Sequence, residues 1–351
     1  MAEVSMFDEL TSANAASHWV QLQQDRTPFI GETLFPDDSQ DVDYIQFYRG
    51  QSRAVKPLQP SALDAQAIVR DRQGLERLST YTNFFKESHL IDEKLRQDLA
   101  RLEHSYDTAR RDIVMEKIFN DSDQLFDGAM LTREIQRMQV LLTGKYAITG
   151  NGQDYHDDYF MKDNHQAQAI GKWGEDDSNP VEDIEKAIDL IGDEQNVTLT
   201  RMLMNRATFH ALLRDEQIKA TTLANTGNIG SIALSKKDML AYLSDEFGLS
   251  VEVYTKGWTD ATGAHKFIPD GKVVFMPGET LGRTVSSPTP EEADLKLSKV
   301  ADVSLAGNGV AVTVMPHADP VTREIKVSQR YTITYEKIDS VYVLDAFNPK
   351  A

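Results

Sequence analysis

The densest set of side chains able to do chemistry is Asp154, His156, Asp157, Asp158, Asp163 and His165. Carboxylates and imidazoles are the groups that hold divalent cations, so a metal-dependent hydrolase using Asp154–His165 is one reading. Their spacing matches no ligand motif, and Gly150, Asn151 and Gly152 precede them. A solvated acidic loop is the simpler account. A second run, Asp176, Asp177, Glu182, Asp183 and Glu185, offers paired carboxylates for acid–base work. It also falls where a helix would begin, and the helix dipole favours negative charge there without any catalytic role. Gly227-Asn228-Ile229-Gly230 and Gly307-Asn308-Gly309 are too loose for phosphate loops, and the sequence contains no P-loop signature. GxSxG and HExxH do not occur, and the eight His residues are scattered. No residue is therefore nominated as catalytic, cofactor-binding or metal-ligating, and no cofactor is expected. The chain reads as a non-enzyme.

The charge balance narrows the partners. With 37 basic and 55 acidic residues in 351, the net charge is −18. Gripping nucleic acid through its phosphates requires clustered Lys and Arg, and the balance here runs the other way. Enclosing DNA without gripping it is still compatible with such a surface. Cysteine is absent, which excludes disulfides, thiolate metal ligands and a cysteine nucleophile. No apolar run approaches the ~18 residues of a membrane helix, and no charged-then-apolar leader opens the sequence.

The elements that would position these residues form a mixed pattern. Met6–Gln24 suits a short helix with Phe7, Leu10, Trp19 and Leu22 as its apolar positions. Pro28, Gly31 and Pro36 then interrupt, so 28–36 reads as extended. Its apolar residues need cover, either on their own domain or on a neighbouring subunit. Between Tyr44 and Phe85 lie strand-like runs with a charged tip, Arg70-Asp71-Arg72-Gln73-Gly74. Residues 91–142 are helical, best marked from Asp123 to Leu142. There Leu131, Ile135, Met138 and Leu142 recur on one face, and Gly144 supplies the stop. Lys145–Thr149 turns to strand, and 150–165 reads as loop or hairpin.

From Asn179 onward helices and strands alternate. Asn179 caps, Pro180 takes the first helical position, and Ile184, Ile188 and Ile191 form a stripe closed by Gly192. Strand Val197–Met204 leads into a helix from Asn205. A further helix is capped by Ser235, carries Leu240, Leu243 and Phe247, and stops at Gly248. Strands follow at Leu249–Tyr254, Lys272–Met276 and Val310–Met315. The longest alternation sets Ile325, Val327, Gln329, Tyr331, Ile333 and Tyr335 against an entirely polar face, which predicts a half-buried antiparallel strand. Val341–Phe347 ends the β-rich region. The fold class is α+β.

Several of these segments resemble the lambda-type major capsid protein family of tailed bacteriophages, the phage capsid E family. Gln136-Arg137-Met138-Gln139-Val140-Leu141-Leu142-Thr143-Gly144-Lys145-Tyr146 looks like that family's long helix running into a Gly-Lys-Tyr strand start. Asn179-Pro180-Val181-Glu182-Asp183-Ile184 resembles the opening of its next domain, and Met204-Asn205-Arg206-Ala207-Thr208-Phe209 a strand-to-helix junction. The most specific block is Phe267-Ile268-Pro269-Asp270-Gly271-Lys272-Val273-Val274, followed by Gly282-Arg283-Thr284 and Pro290-Glu291-Glu292. The strand set from Arg323 to Phe347 completes an order that spans residues 30 to 347.

The resemblance implies the Hong Kong 97 phage-type capsid fold. It implies an N-terminal arm at 1–40, an extended β loop at 41–90, a peripheral domain with a spine helix at 91–174, an axial domain at 175–300, and a return to the peripheral domain at 301–351. The implied function is that of a major capsid protein, self-assembling into pentamers and hexamers of an icosahedral shell that encloses double-stranded DNA without sequence-specific binding. Implied partners are further copies of the chain, a separate scaffolding protein, a portal and a decoration protein, with no membrane. The implied location is the virion, with assembly in the host cytoplasm. No Lys, Asn and carboxylate set for inter-subunit cross-linking can be mapped. Readings of other classes are an encapsulin-type compartment, a tail-tube or connector protein, and the hydrolase above.

Overall fold

A computed structural model of the chain describes residues 11–24, 26–49, 60–61, 63, 76–103, 108–226, 234–298, 300–307 and 309–349. The expected loop tip at 70–74, the Gly227–Gly230 segment, Asn308, and Phe7 and Leu10 of the first helix lie outside them. The chain divides into two compact units. One comprises Met1–Ile45, Ser79–Ile135 and Arg283–Thr334; the other comprises Gln46–Leu78, Gln136–Gly282 and Tyr335–Ala351.

The first unit is built on the strand that the longest alternation predicts, observed as Val321–Thr334. It pairs along one side with Val310–Ala318 and then Arg283–Ser286, and along the other with Asn83–Ile91. Asp302–Leu305 and Asp37–Ser39 complete the six strands. The expected half-burial holds only for the first part of this strand. From Ser328 onward the polar face is covered too, with Ser328, Thr332 and Thr334 wholly buried. Each hydroxyl finds a partner: Ser328 donates to Glu291, Thr332 meets Thr80, and Thr334 donates to the Arg283 carbonyl. A short hydroxyl can be buried at little cost once it is hydrogen-bonded.

Against the apolar face, Val310, Val312, Ile325 and Val327 pack with Ile118, Phe126 and Met130 of the long helix Thr108–Thr143. Helix Ser12–Gln24 adds Ala15, Ala16 and Trp19, whose ring stacks on Phe126 at 4.9 Å. These residues of the N-terminal segment pack on their own unit. Leu22, expected on the apolar face, is half-exposed. The stretch read as extended contains a short helix, Ile30–Leu34, because Leu34 and Phe35 must turn inward to reach full burial.

The long helix also departs from a simple stripe. Leu131 and Ile135 are only half-buried, whereas Arg133, Glu134, Gln136 and Arg137 are enclosed. Within the first unit Arg133 donates from Nε to Gln329 Oε1 at 2.7 Å and from Nη1 to Asp37 Oδ1 at 3.3 Å. Glu134 accepts from the Gly31 amide at 3.2 Å.

The second unit holds a five-stranded mixed sheet in the order Gln166–Gln168, Tyr342–Asp345, Lys272–Met276, Arg201–Met204, Ser250–Val253. The outer pairings are parallel and the inner two antiparallel. Val273, Val274, Phe275 and Met276 are all buried, as a strand covered on both faces requires. Helices Pro180–Gln195, Arg206–Arg214, Glu216–Thr226 and Lys236–Phe247 supply the cover through Ile184, Ile191, Phe209, Leu212, Ile218, Met239 and Leu243. The predicted caps Asn179 and Ser235, and Asn205 where the sequence predicts a helix start, each accept the amide three residues on. Gly192 does not close its helix, which runs to Gln195 before Asn196 takes the left-handed conformation. The strand expected from Val197 begins only at Arg201.

Tyr335–Ala351 belongs to this unit, because Tyr342–Asp345 is hydrogen-bonded between Lys272–Met276 and Gln166–Gln168. Gly144 ends the long helix at φ +66, where an added Cβ would lie 2.6 Å from the Met161 Cβ. Only glycine satisfies both conditions.

Candidate functional site

The Asp- and His-rich segment folds as a hairpin, Lys145–Gly150 against Gln153–Asp158, turning through Asn151 and Gly152 at positive φ. Alternation along a strand sends successive side chains to opposite faces, which disperses the cluster. Asp154 accepts from Thr149 Oγ1 at 3.0 Å, and Asp158 pairs with Lys145 at 2.9 Å. His156 lies 3.7 Å from Asp154 and is exposed. Among the described residues no three acidic or imidazole side chains are gathered as a metal site would need.

His165 takes a different course. It is wholly buried, and its Nε2 meets Glu194 Oε2 at 3.2 Å. Glu194 also receives Lys162 Nζ at 2.8 Å and Asn164 Nδ2 at 2.6 Å. The Lys162 ammonium, outweighing partial burial and helped by His165 and Asn164, holds the Glu194 carboxyl down at about 2. Sequence spacing grouped His165 with its acidic neighbours; its partner lies 29 residues on, in the last turn of helix Pro180–Gln195.

The sign of the linkage follows from that depressed value. A carboxyl ordinarily near 4.5 and held at about 2 in the fold stabilises the protein above pH 4.5. That contribution is lost as pH falls from 4.5 towards 2. In thermal unfolding, Glu194→Gln should lower the midpoint at pH 7 and converge with the parent near pH 2–3. An equal deficit at both ends would show that charge at Glu194 is not what stabilises.

The second acidic run is also divided. Asp183 turns into the core, accepting from Trp173 Nε1 at 2.9 Å and the Ile170 amide at 3.1 Å. Burial raises its pKa despite these donors. Glu182 receives the Asn179 side chain at 2.7 Å and pairs with Lys186 at 2.8 Å, so it serves the helix start. Asp176 and Asp177 are exposed in the loop before that helix.

Two cavities open in the second unit. The larger, about 810 Å³, is bordered by Gln166, Asp183, Lys186, Lys272, Tyr342 and Asp345. Lys272 is neutralised there by Asp345 at 3.0 Å, and burial, then the nearby Asp183 charge, pushes the Tyr342 hydroxyl up to about 12. The Tyr342 hydroxyl is therefore not poised to act as a base near neutral pH. The smaller, about 440 Å³, lies beside the start of helix Arg206–Arg214 and the end of strand Ser250–Val253. Its rim carries Arg206, His210, Lys256 and Lys266. Asp154, Asp158, Glu182, Asp183, Glu194 and Lys272 thus each serve a local structural contact.

The sequence matches the family model of phage major capsid protein E over residues 12–331. The fold is similar to a crystal structure of a phage-related protein from Bordetella bronchiseptica RB50, with a TM-score of 0.58 at 13% identity, covering 97% of this chain and 99% of that one. It is also similar to a candidate prophage capsid protein from Escherichia coli CFT073, with a TM-score of 0.59 at 13% identity, covering 96% of this chain and 99% of the other. No curated protein matches the sequence.

Proposed function

The chain belongs to the phage major capsid protein E family, and from that premise we propose that its copies form the pentamers and hexamers of an icosahedral head enclosing double-stranded DNA. It is a capsid shell protein with the Hong Kong 97-type α+β fold, its role is structural, and its place is the virion. The observation that carries the reading is the family match over residues 12–331.

The unit holding Ser79–Ile135 and Arg283–Thr334 is read as the peripheral domain, and the unit holding Gln136–Gly282 and Tyr335–Ala351 as the axial domain. Relative to the sequence boundaries, this assignment carries 136–174 and 335–351 to the axial side and 283–300 to the peripheral side. A shell subunit needs several distinct surfaces that fit other copies of itself, so that rings can close. Assembly takes place in the host cytoplasm, aided by a separate scaffolding protein and joined by a portal. With a net charge of −18 the wall encloses DNA without holding it, which favours packaging and release.

Negative-stain electron microscopy of the purified protein, expressed with and without its neighbouring phage genes, tests the reading. Closed particles or rings of five and six are expected. A monodisperse monomer under every condition, co-expression included, would overturn it.

A further inference from the structure

Two oppositely charged patches lie at the two ends of one helix in the second unit. At the N-terminal end of Arg206–Arg214, exposed Arg206 and His210 rim the 440 Å³ cavity together with Lys256 and Lys266. Lys266 is answered by Asp270 at 2.7 Å, which also accepts from Asn205. Arg206 donates from Nε to His210 Nε2 at 3.4 Å, and among the described residues no carboxylate pairs with either. Arg206 moreover stands in the first turn, where the helix dipole disfavours a cation.

At the other end sits the loop Gly174–Ser178. The Gly174 amide donates to Asp215 Oδ2 at 3.3 Å, Ser178 Oγ donates to the same carboxylate, and an added Cβ on Gly174 would lie 3.1 Å from the Ala211 carbonyl. Glu175 is answered by Lys172 at 2.5 Å, but Asp176 and Asp177 are exposed, and among the described residues no cation pairs with them. Arg214, exposed in the last turn, is the one basic residue of the helix at this end. Arg206 stands at the far end of this nine-residue helix, about 12 Å along its axis from Arg214 beside the loop, and so does not neutralise the loop carboxylates within one chain.

We propose that the loop carboxylates Asp176 and Asp177 of one copy dock at the cavity rim that carries Arg206, with His210 beside it, of the next copy. The patches differ and sit on one rigid element, so their pairing is head-to-tail, the kind of contact that closes rings when the rotation allows. The occupant is a second copy because each patch has its complement on the same chain and the net charge of −18 disfavours a polyanion. This inference rests on the shell reading above and names a contact within it.

Charge reversal tests it in the co-expressed assembly system. Arg206→Glu with His210→Glu, and separately Asp176→Lys with Asp177→Lys, should each cut the yield of rings and shells about tenfold, since several modest pairs recur around every ring. All four residues are exposed, so each variant should keep the parent's thermal midpoint. Combining both reversals in one chain should restore the yield. Full yield from either single reversal, or no recovery in the combined variant, would overturn the docking contact while the parent's shells leave the capsid reading standing. Failure of the parent itself to form rings or shells would remove the shell reading, and with it this one. Loss of binding to inorganic phosphate or a short DNA duplex in Arg206→Glu/His210→Glu, at unchanged shell yield, would reassign the cavity to a phosphate ligand and overturn the proposal.

Discussion

Arg133→Ala should cost about 3–5 kcal/mol of unfolding free energy, measured by urea titration, and abolish most shell formation. The guanidinium is wholly buried in the first unit. It donates from Nε to Gln329 Oε1 at 2.7 Å and from Nη1 to Asp37 Oδ1 at 3.3 Å, and lies 4.9 Å from the centre of the Tyr331 ring. Gln329 in turn donates to the Ala129 carbonyl at 3.0 Å, so the cation ties the helix to the central strand of the sheet. Truncation would remove the donors and leave the space they filled. Asp37 is one-fifth exposed, so water can recover part of its share and the loss falls mainly on Gln329 and the packing. Arg133→Lys keeps the charge but not the planar fork, and should recover less than half of the deficit. A loss below about 1 kcal/mol in Arg133→Ala would show that the helix and strand hold together without this link.

Trp173→Ala should be comparably severe in the second unit, at about 3–5 kcal/mol. The indole is almost fully buried among the side chains of the sheet and its covering helices. It is also the donor at 2.9 Å that makes burial of Asp183 tolerable. Trp173→Phe separates the two effects. It keeps much of the apolar surface but leaves Asp183 with only the Ile170 amide. Because burial already raises the Asp183 pKa, removing a donor should raise it further. An acid whose folded pKa lies above its unfolded value adds stability at low pH and loses it as pH rises through the folded value. Trp173→Phe should therefore lie close to the parent in acid and fall away towards neutrality. A deficit independent of pH would assign the whole effect to packing.

Pro28–Pro36 and helix Asp123–Leu142 mark where local reading stops. Pro28, Gly31 and Pro36 argue against a regular element, yet Ile30–Leu34 is helical because full burial of Leu34 and Phe35 outweighs a weak local preference. In the long helix the three- and four-residue apolar spacing identified the element but not its covered faces. Arg133, Glu134, Gln136 and Arg137 lie outside the predicted apolar face and are enclosed all the same. No local pattern announces that a distant Gln329 or Asp37 will stand opposite a guanidinium. His165 is a similar case: its neighbours in sequence are acidic loop residues, and its partner is Glu194.

By itself the sequence determined the elements whose signals lie within a few residues. The caps at Asn179 and Ser235, the helix start at Asn205, the stops at Gly144 and Gly248, and the strand Lys272–Met276 stand where spacing predicted them, because a cap or a turn is satisfied by its own backbone. Their order along the chain also carried the family resemblance. Only the tertiary structure decided that the polar face of Val321–Thr334 is covered towards its end, that the helix starting at Pro180 runs past Gly192, and that Tyr342–Asp345 joins the sheet of the second unit. Each of these depends on a partner far away in sequence, and the free energy of such a contact exists only once the fold has brought the two sides together.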